Sequence, residues 1–257
     1  PSDASKVQTI TLNVMANYNK YILTILLIAS FFCGLSQNEK ENKDKKVRYG
    51  AWMHPNNVSN INGLAVGAFN TPYFNKFDEL TVNGINLELI GGGLLVYFLP
   101  WPEYPFNDHL TVNGLCLAPT FWGGTNNGIT LSLVTGLSNM KGFNLGLATT
   151  IGEKCSGVNI NFLQASSEIM RGVQIGFFNG TTNGKGLLVG GLFNATETMN
   201  GLSIAAMNSS QNHNGVQIGL FNWSKKLNGL QVGLFNYAEN SKIPFTLLFN
   251  YSKDKKE

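Results

Sequence analysis

The chain has 257 residues and a net charge of +3, with 13% charged and 43% hydrophobic side chains. That length suits one folded domain. Its charges are thin along the middle and crowded at both ends, so no basic stripe exists to bind nucleic acid.

In chain order, residues 1–14 have no initiator and read as upstream translation ahead of Met15. Residues 21–32 (YILTILLIASFF) form an uncharged apolar run after Lys20. Twelve residues are fewer than the ~20 a spanning helix needs. With Gly34-Leu35-Ser36 behind it, the run predicts a signal peptide over 15–36, cleaved after Ser36. Phe32 and Ser30 stand where a lipobox wants a small and an aliphatic residue, which argues against lipidation of Cys33. A charged linker follows at 37–48 (NEKENKDKKVR from Asn38), then a folded region at 49–251 and a charged tail at 252–257.

The folded region is a repeat, Gly-Φ-x-Φ-small-Φ-Φ-Asn, with Φ apolar. Its clearest copies start at Gly172, Gly215 and Gly229. The leading glycines are Gly63, Gly84, Gly114, Gly128, Gly142, Gly157, Gly172, Gly186, Gly201, Gly215 and Gly229. From Gly114 the interval is fourteen or fifteen residues. The earlier gaps of twenty-one and thirty imply insertions, or a decayed unit near Leu99. Counting the glycine as position 0, positions 1 and 3 are apolar throughout, as in Ile175, Val189, Ile204, Ile218 and Val232. Position 2 is mostly small or polar, as in Gln174, Gln217 and Gln231.

Period-two alternation predicts strands with one buried face, and here the apolar phase is expected to be the buried one. Gln217 then lies on the outward phase, where substitution by Thr costs little. The small residue at position 4, such as Gly219 or Gly233, predicts close approach of another layer. Asn-Gly at the head of the unit is a turn signal. Every copy reads in the same direction, so identical units are expected to stack in register. The expected fold is all-β, a parallel β-solenoid of 14–15-residue units with Asn and Phe in ladders. An antiparallel meander closing into a β-barrel is the alternative, and its polar-in, apolar-out pattern would suit an outer membrane. The last unit, Ile243-Pro244 to Asn250, is degenerate and serves as a cap.

Catalytic, cofactor and metal residues are not expected. His54, His109 and His213 lack metal-ligand spacing, and His213 reads as a solvated turn residue. Gly91-Gly92-Gly93 has no phosphate-loop lysine. Cys116 and Cys155 fall at different phases, about three coils apart, and are expected to be separate thiols. The sequons at Asn57, Asn179, Asn194, Asn208, Asn222 and Asn250 come largely from the motif and read as structural. The break in the repeat at residues 97–106 (YFLPWPEYPF) concentrates aromatics. Trp101, Tyr104 and Phe106 are therefore the candidate partner contacts, set against a simple cap over the first coil.

Asn-Gly-Φ-Gln-Φ-Gly-Φ-Phe-Asn, as at 214–222 and 228–236, resembles the leptospiral-type surface repeat, which is widespread in exported proteins of Bacteroidota. The resemblance covers roughly 62–250. It implies export to the cell surface or outer membrane of a Gram-negative bacterium, and no catalytic residues. The expected function is a non-enzymatic surface or envelope scaffold, with a small outer-membrane pore as the alternative. A protein or glycan at the cell surface is the expected partner, and membrane association is compatible with either reading.

Overall fold

The computed structural model describes residues 46–53, 58–67, 79–91 and 110–253. The signal-peptide region, Cys33, His54, His109 and the aromatic segment with Trp101, Tyr104 and Phe106 lie outside the described residues.

Strands β1 (Val47–Met53), β2 (Asn60–Gly67), β3 (Leu80–Glu88), β4 (Leu110–Trp122), β5 (Thr125–Asn161), β6 (Gln164–Ile204), β7 (Met207–Ile218), β8 (Phe221–Ala238) and β9 (Phe245–Ser252) form one sheet in sequence order. Pairing is parallel from β1 through β8. The chain is thus a parallel β-solenoid of about eleven turns of about fourteen residues, and the antiparallel meander is not what forms. β5 and β6 each run through several coils, because ladder pairing continues around the corners.

Like residues stack on like. Gly201, Gly215 and Gly229 are partners in neighbouring coils, as are Ile204, Ile218 and Val232. Gly63 pairs directly with Gly84, and Gly84 with Gly114. Both long early intervals are therefore insertions between adjacent coils, and no decayed unit lies between β3 and β4. One coil escaped the repeat pattern. Gly50 pairs with Gly63, which makes β1 the first turn and takes Val47 and Arg48 out of the expected linker.

The direction of the alternation is opposite to expectation. Position 2 faces inward: Asn144, Gln174, Gln217 and Gln231 are all buried. Ile218 and Val232, expected in a buried row, are 39% exposed. Along β8 the inward residues are Asn222, Ser224, Leu227, Gln231, Asn236 and Ala238. Alternation breaks at Lys225-Lys226, around Gly229, and at Leu234-Phe235, where successive side chains stay off the core. These breaks are the corners of the coil, so the coil has three sides rather than the two of a flat one. Gly229 shows why the second corner takes glycine. Its φ is +149°, and an added Cβ would run into the Gly215 carbonyl oxygen one coil before.

The interior changes character along the axis. The early coils enclose Val58, Ile61, Val82, Val112, Phe121, Leu137 and Met140. Further on, the large apolar filling shrinks to Met170, Leu188, Met199 and Leu227, and amides take over. Asn179 Nδ2 donates to Asn194 Oδ1, Asn194 to Asn208, Asn208 to Asn222, and Asn222 to Asn236, each at 2.9 Å. The same amides reach carbonyls of the next coil, including Val189 at 2.7 Å and Ile218 at 2.9 Å. These four sequons are thus filled by buried structural amides. A second network links Gln231 Nε2 to Gln217 Oε1 at 2.8 Å, Gln217 Nε2 to Ser210 Oγ at 3.1 Å, and Ser224 Oγ to Gln217 Oε1 at 2.8 Å. The small residue at position 4 makes room for the ladder. A Cβ on Gly176 would stand 2.8 Å from Asn179 Oδ1, and one on Gly219 would stand 2.8 Å from Asn208 Nδ2. The close approach expected there is real, but it comes from the Asn column and the adjoining coil, with no second layer.

Both ends differ from the repeat. In β1 the Arg48 guanidinium sits 4.4 Å over the Trp52 ring, and Trp52 packs on the first apolar cluster. At the other end β9 turns back and pairs antiparallel with β8. The degenerate last unit is therefore a reversed strand and not a twelfth parallel coil. Asn236, with no further partner in its column, donates to Gly233 O at 2.9 Å.

The reversal changes the expectation for Gln217. Gln217→Thr should cost about 1–3 kcal/mol, because it removes three buried hydrogen bonds, to Gln231, Ser210 and Ser224, and leaves the space of the longer side chain unfilled. Asn214→Ala, which removes an exposed bond from Asn214 Nδ2 to Asn200 Oδ1, should stay within about 0.5 kcal/mol. Chemical denaturation of the two variants beside the wild type measures both.

Candidate functional site

Since the interior takes the even positions of the first side, the repeat's apolar residues end up outside. Positions 1 and 3 face outward on the side after the glycine, and positions 5 and 6 form the next corner. Leu145, Leu147, Phe162, Phe177, Phe178, Leu220 and Leu234 are among the exposed side chains, Phe162 at 76% and Leu147 at 60%. Among the described residues, no Asp, Glu, Lys or Arg occupies any of these four outward columns. The reversed strand keeps the pattern. Tyr251 lies opposite Leu230, Phe249 opposite Val232, and Leu247 opposite Phe235, and all three β9 residues are exposed. A strand in the opposite direction that still shows apolar residues outward is not a by-product of repetition.

At the corner the rings stack along the axis. Phe221 and Phe235 lie 5.1 Å apart at 14°, Phe235 and Phe245 lie 6.2 Å apart, and Trp223 and Tyr237 lie 6.5 Å apart at 6°. Between these stacks runs a groove of about 360 Å³, floored by Asn208, Asn222 and Asn236. The aromatic concentration expected at Trp101, Tyr104 and Phe106 falls outside the described residues. The C-terminal cluster was missed, although the Phe-Asn unit ending, with Trp223 and Tyr237 two residues after Phe221 and Phe235, marks it in the sequence.

The remaining sides are polar. Lys154, Glu168, Asn183, Lys185, Glu197, Gln211, Lys225 and Lys226 are exposed there. An open groove of about 510 Å³ carries Ser166, Glu168, Thr182, Thr196 and Glu197. Glu168 and Glu197 stand two coils apart, about 10 Å at ~4.8 Å per coil, with Thr182 on the coil between them. This offers hydroxyls and carboxylates to solvent but no base paired with a nucleophile. Among the described residues no cluster of three His, Cys, Asp or Glu side chains could hold a metal.

The reactive side chains of the interior are sealed. Cys116 and Cys155 are buried, unpaired thiols, as the phases predicted. Burial drives the Cys116 thiol well above its ordinary range, the Glu88 carboxylate adds to this, and the Asn86 amide opposes it. Asn86 Nδ2 donates to Glu88 Oε1 at 2.9 Å. Burial alone pushes Cys155 up to about 12. Neither is a thiolate at neutral pH, so neither is a nucleophile. His213 corrects the sequence reading. It is not a solvated turn residue but points inward, 1% exposed, in the column between Met199 and Leu227. Neither ring nitrogen makes a well-aligned hydrogen bond; the backbone at Val216 and Gly201 lies close enough to oppose the effect of burial only in part. The column two residues before the glycine holds Ile61, Val82, Val112, Met140, Cys155, Met170, Met199 and Leu227, with Arg48, Asn126 and Gly184 as its exceptions, a signal that His213 replaces a core residue.

Compared with protein-family models, curated proteins and solved structures, the chain finds no match.

Burial lowers His213 from 6.5 to about 4. The unfolded chain binds this proton more readily, so the contribution to stability is intact above pH 6.5 and lost as pH falls toward 4. The full loss is on the order of 3 kcal/mol. His213→Met fills the same column without a titrating group. Denaturation between pH 7 and pH 4 should show the variant gaining on the wild type as pH falls, and parallel curves would refute this account of His213.

Proposed function

We propose that this chain is a non-enzymatic scaffold of the bacterial envelope and that its working part is the apolar outer face. One observation carries the reading: the outward columns are uninterrupted by charge while the interior is lined with amides. Single exposed apolar residues are ordinary, but a contiguous apolar surface spanning coil after coil marks an interaction site. The motif's resemblance to leptospiral-type surface repeats supports export, as do the apolar run at 21–32 and Gly34-Leu35-Ser36.

Fractionation of cells expressing the full chain tests it. The wild type should travel with the envelope and be accessible to protease on intact cells. Ile204→Lys with Ile218→Lys puts two cations on the apolar face and should release the protein into the soluble exported fraction. Asn183→Lys, on a polar side, should leave it in place. Equal distribution of all three proteins would remove the face from the function, and retention in the cytoplasm would remove the envelope.

A further inference from the structure

Resting on the reading of the apolar face as the working surface, we propose that its occupant is a second copy of this chain, packed face to face. The extent of the face is the first argument. About eleven coils at ~4.8 Å give a length of roughly 50 Å, and six residues at ~3.3 Å give a width of roughly 20 Å. The resulting area of about 1,000 Å² per protomer, the corner residues included, is of the order of the ~800 Å² per partner of a standard stable interface. It also exceeds the ~300–600 Å² of the largest apolar patch on a typical monomer.

The relief of the face is the second argument. Its side chains stand in straight rows, one residue per coil, as Ile204, Ile218 and Val232 do. A surface ridged at the inter-strand spacing packs best against ridges of the same period, and a copy of the chain carries them by construction. Two such sheets join as the leaves of a β-sandwich, about 10 Å apart. The interface would be isologous, with the same columns contributed from both sides.

The border is the third argument. The row preceding the leading glycines is polar: it holds asparagine in seven coils and Lys141, Arg171 and Lys185 in three others. Several of its amides bond to one another: Asn83 donates to Asn62 at 2.8 Å, Asn113 to Asn83 at 2.7 Å, and Asn127 to Asn113 at 2.8 Å. A polar rim around an apolar centre is the anatomy of a protein interface. The three cations are also what an anionic bilayer would meet, so the test carries a vesicle arm.

The test uses the full chain in detergent-free buffer. Sedimentation equilibrium should give twice the chain mass at about 10 µM, a concentration at which an interface of this size is filled. Ile204→Lys should weaken self-association by about 100-fold or more, as burying an unpaired charge at an interface centre requires. Asn183→Lys should not. Ile204→Cys in a Cys33→Ser background supplies one accessible thiol, since Cys116 and Cys155 are buried, and a short bismaleimide should capture it as a covalent dimer. That capture stands as evidence even if the lysine variant fails to fold. A monomer that resists cross-linking overturns the proposal, as does a monomer that floats with vesicles containing phosphatidylglycerol. In either case envelope release by the double lysine variant would still uphold the working face, so the two readings fail separately.

Discussion

A buried amide is tolerable in this fold because the same amide waits for it one coil further on. Asn179, Asn194, Asn208 and Asn222 each spend their donors on the next Asn and on a carbonyl of the next coil. Parallel, in-register stacking is the arrangement that repeats this geometry at every step. An antiparallel pair would bring the column to opposite ends of neighbouring strands. The net gain from each bond is about 1 kcal/mol, while an unpaired buried amide costs about 1–3 kcal/mol. The ladder therefore acts mainly by penalising every other register. The glycines and alanines of position 4 follow from the same demand, since a larger side chain would occupy the space of the amide.

Once the amides hold the interior, the apolar residues have nowhere to go but outward. A narrow three-sided coil has inward room for about five side chains per turn, and the Asn, Gln and Ser columns take much of it. The exposed leucines, isoleucines and phenylalanines are thus what remains after the interior has been assigned. Their continuity through β9, where the chain runs the other way, is the mark of a selected surface.

The fold was legible because its period was. Glycine spacing, a constant direction of the motif and the Phe-Asn ending lead to stacked parallel coils, and the ladder of Asn and the stack of Phe form as that reading requires. The sign of the alternation was not legible from positions 1 to 3, because period two is the same whichever phase is buried, and a shift of one residue exchanges the faces. The large apolar residues two places before the glycine, from Ile61 to Leu227, share the phase of Gln217 and could have decided it. Gly50 was missed because its unit is short and abuts charged residues. The reversal of β9 was invisible because Phe249-Asn250 mimics the motif ending while Asn250 pairs with Gln231. The apolar outer face was hidden by the same inversion: residues assigned to a core were not considered as contacts.

The reversed last strand sets a limit on growth. A solenoid whose end coil exposes the repeat in its own direction can receive the first coil of another molecule, and such joining leads to open fibres. Here Asn236 folds its amide back to Gly233 and β9 presents a strand of opposite polarity. The C-terminal coil therefore does not offer the matching column of amides that templates one more coil. Growth past β8 is closed by the chain's own next strand, and what remains open to a neighbour beside it is the flank of the coils.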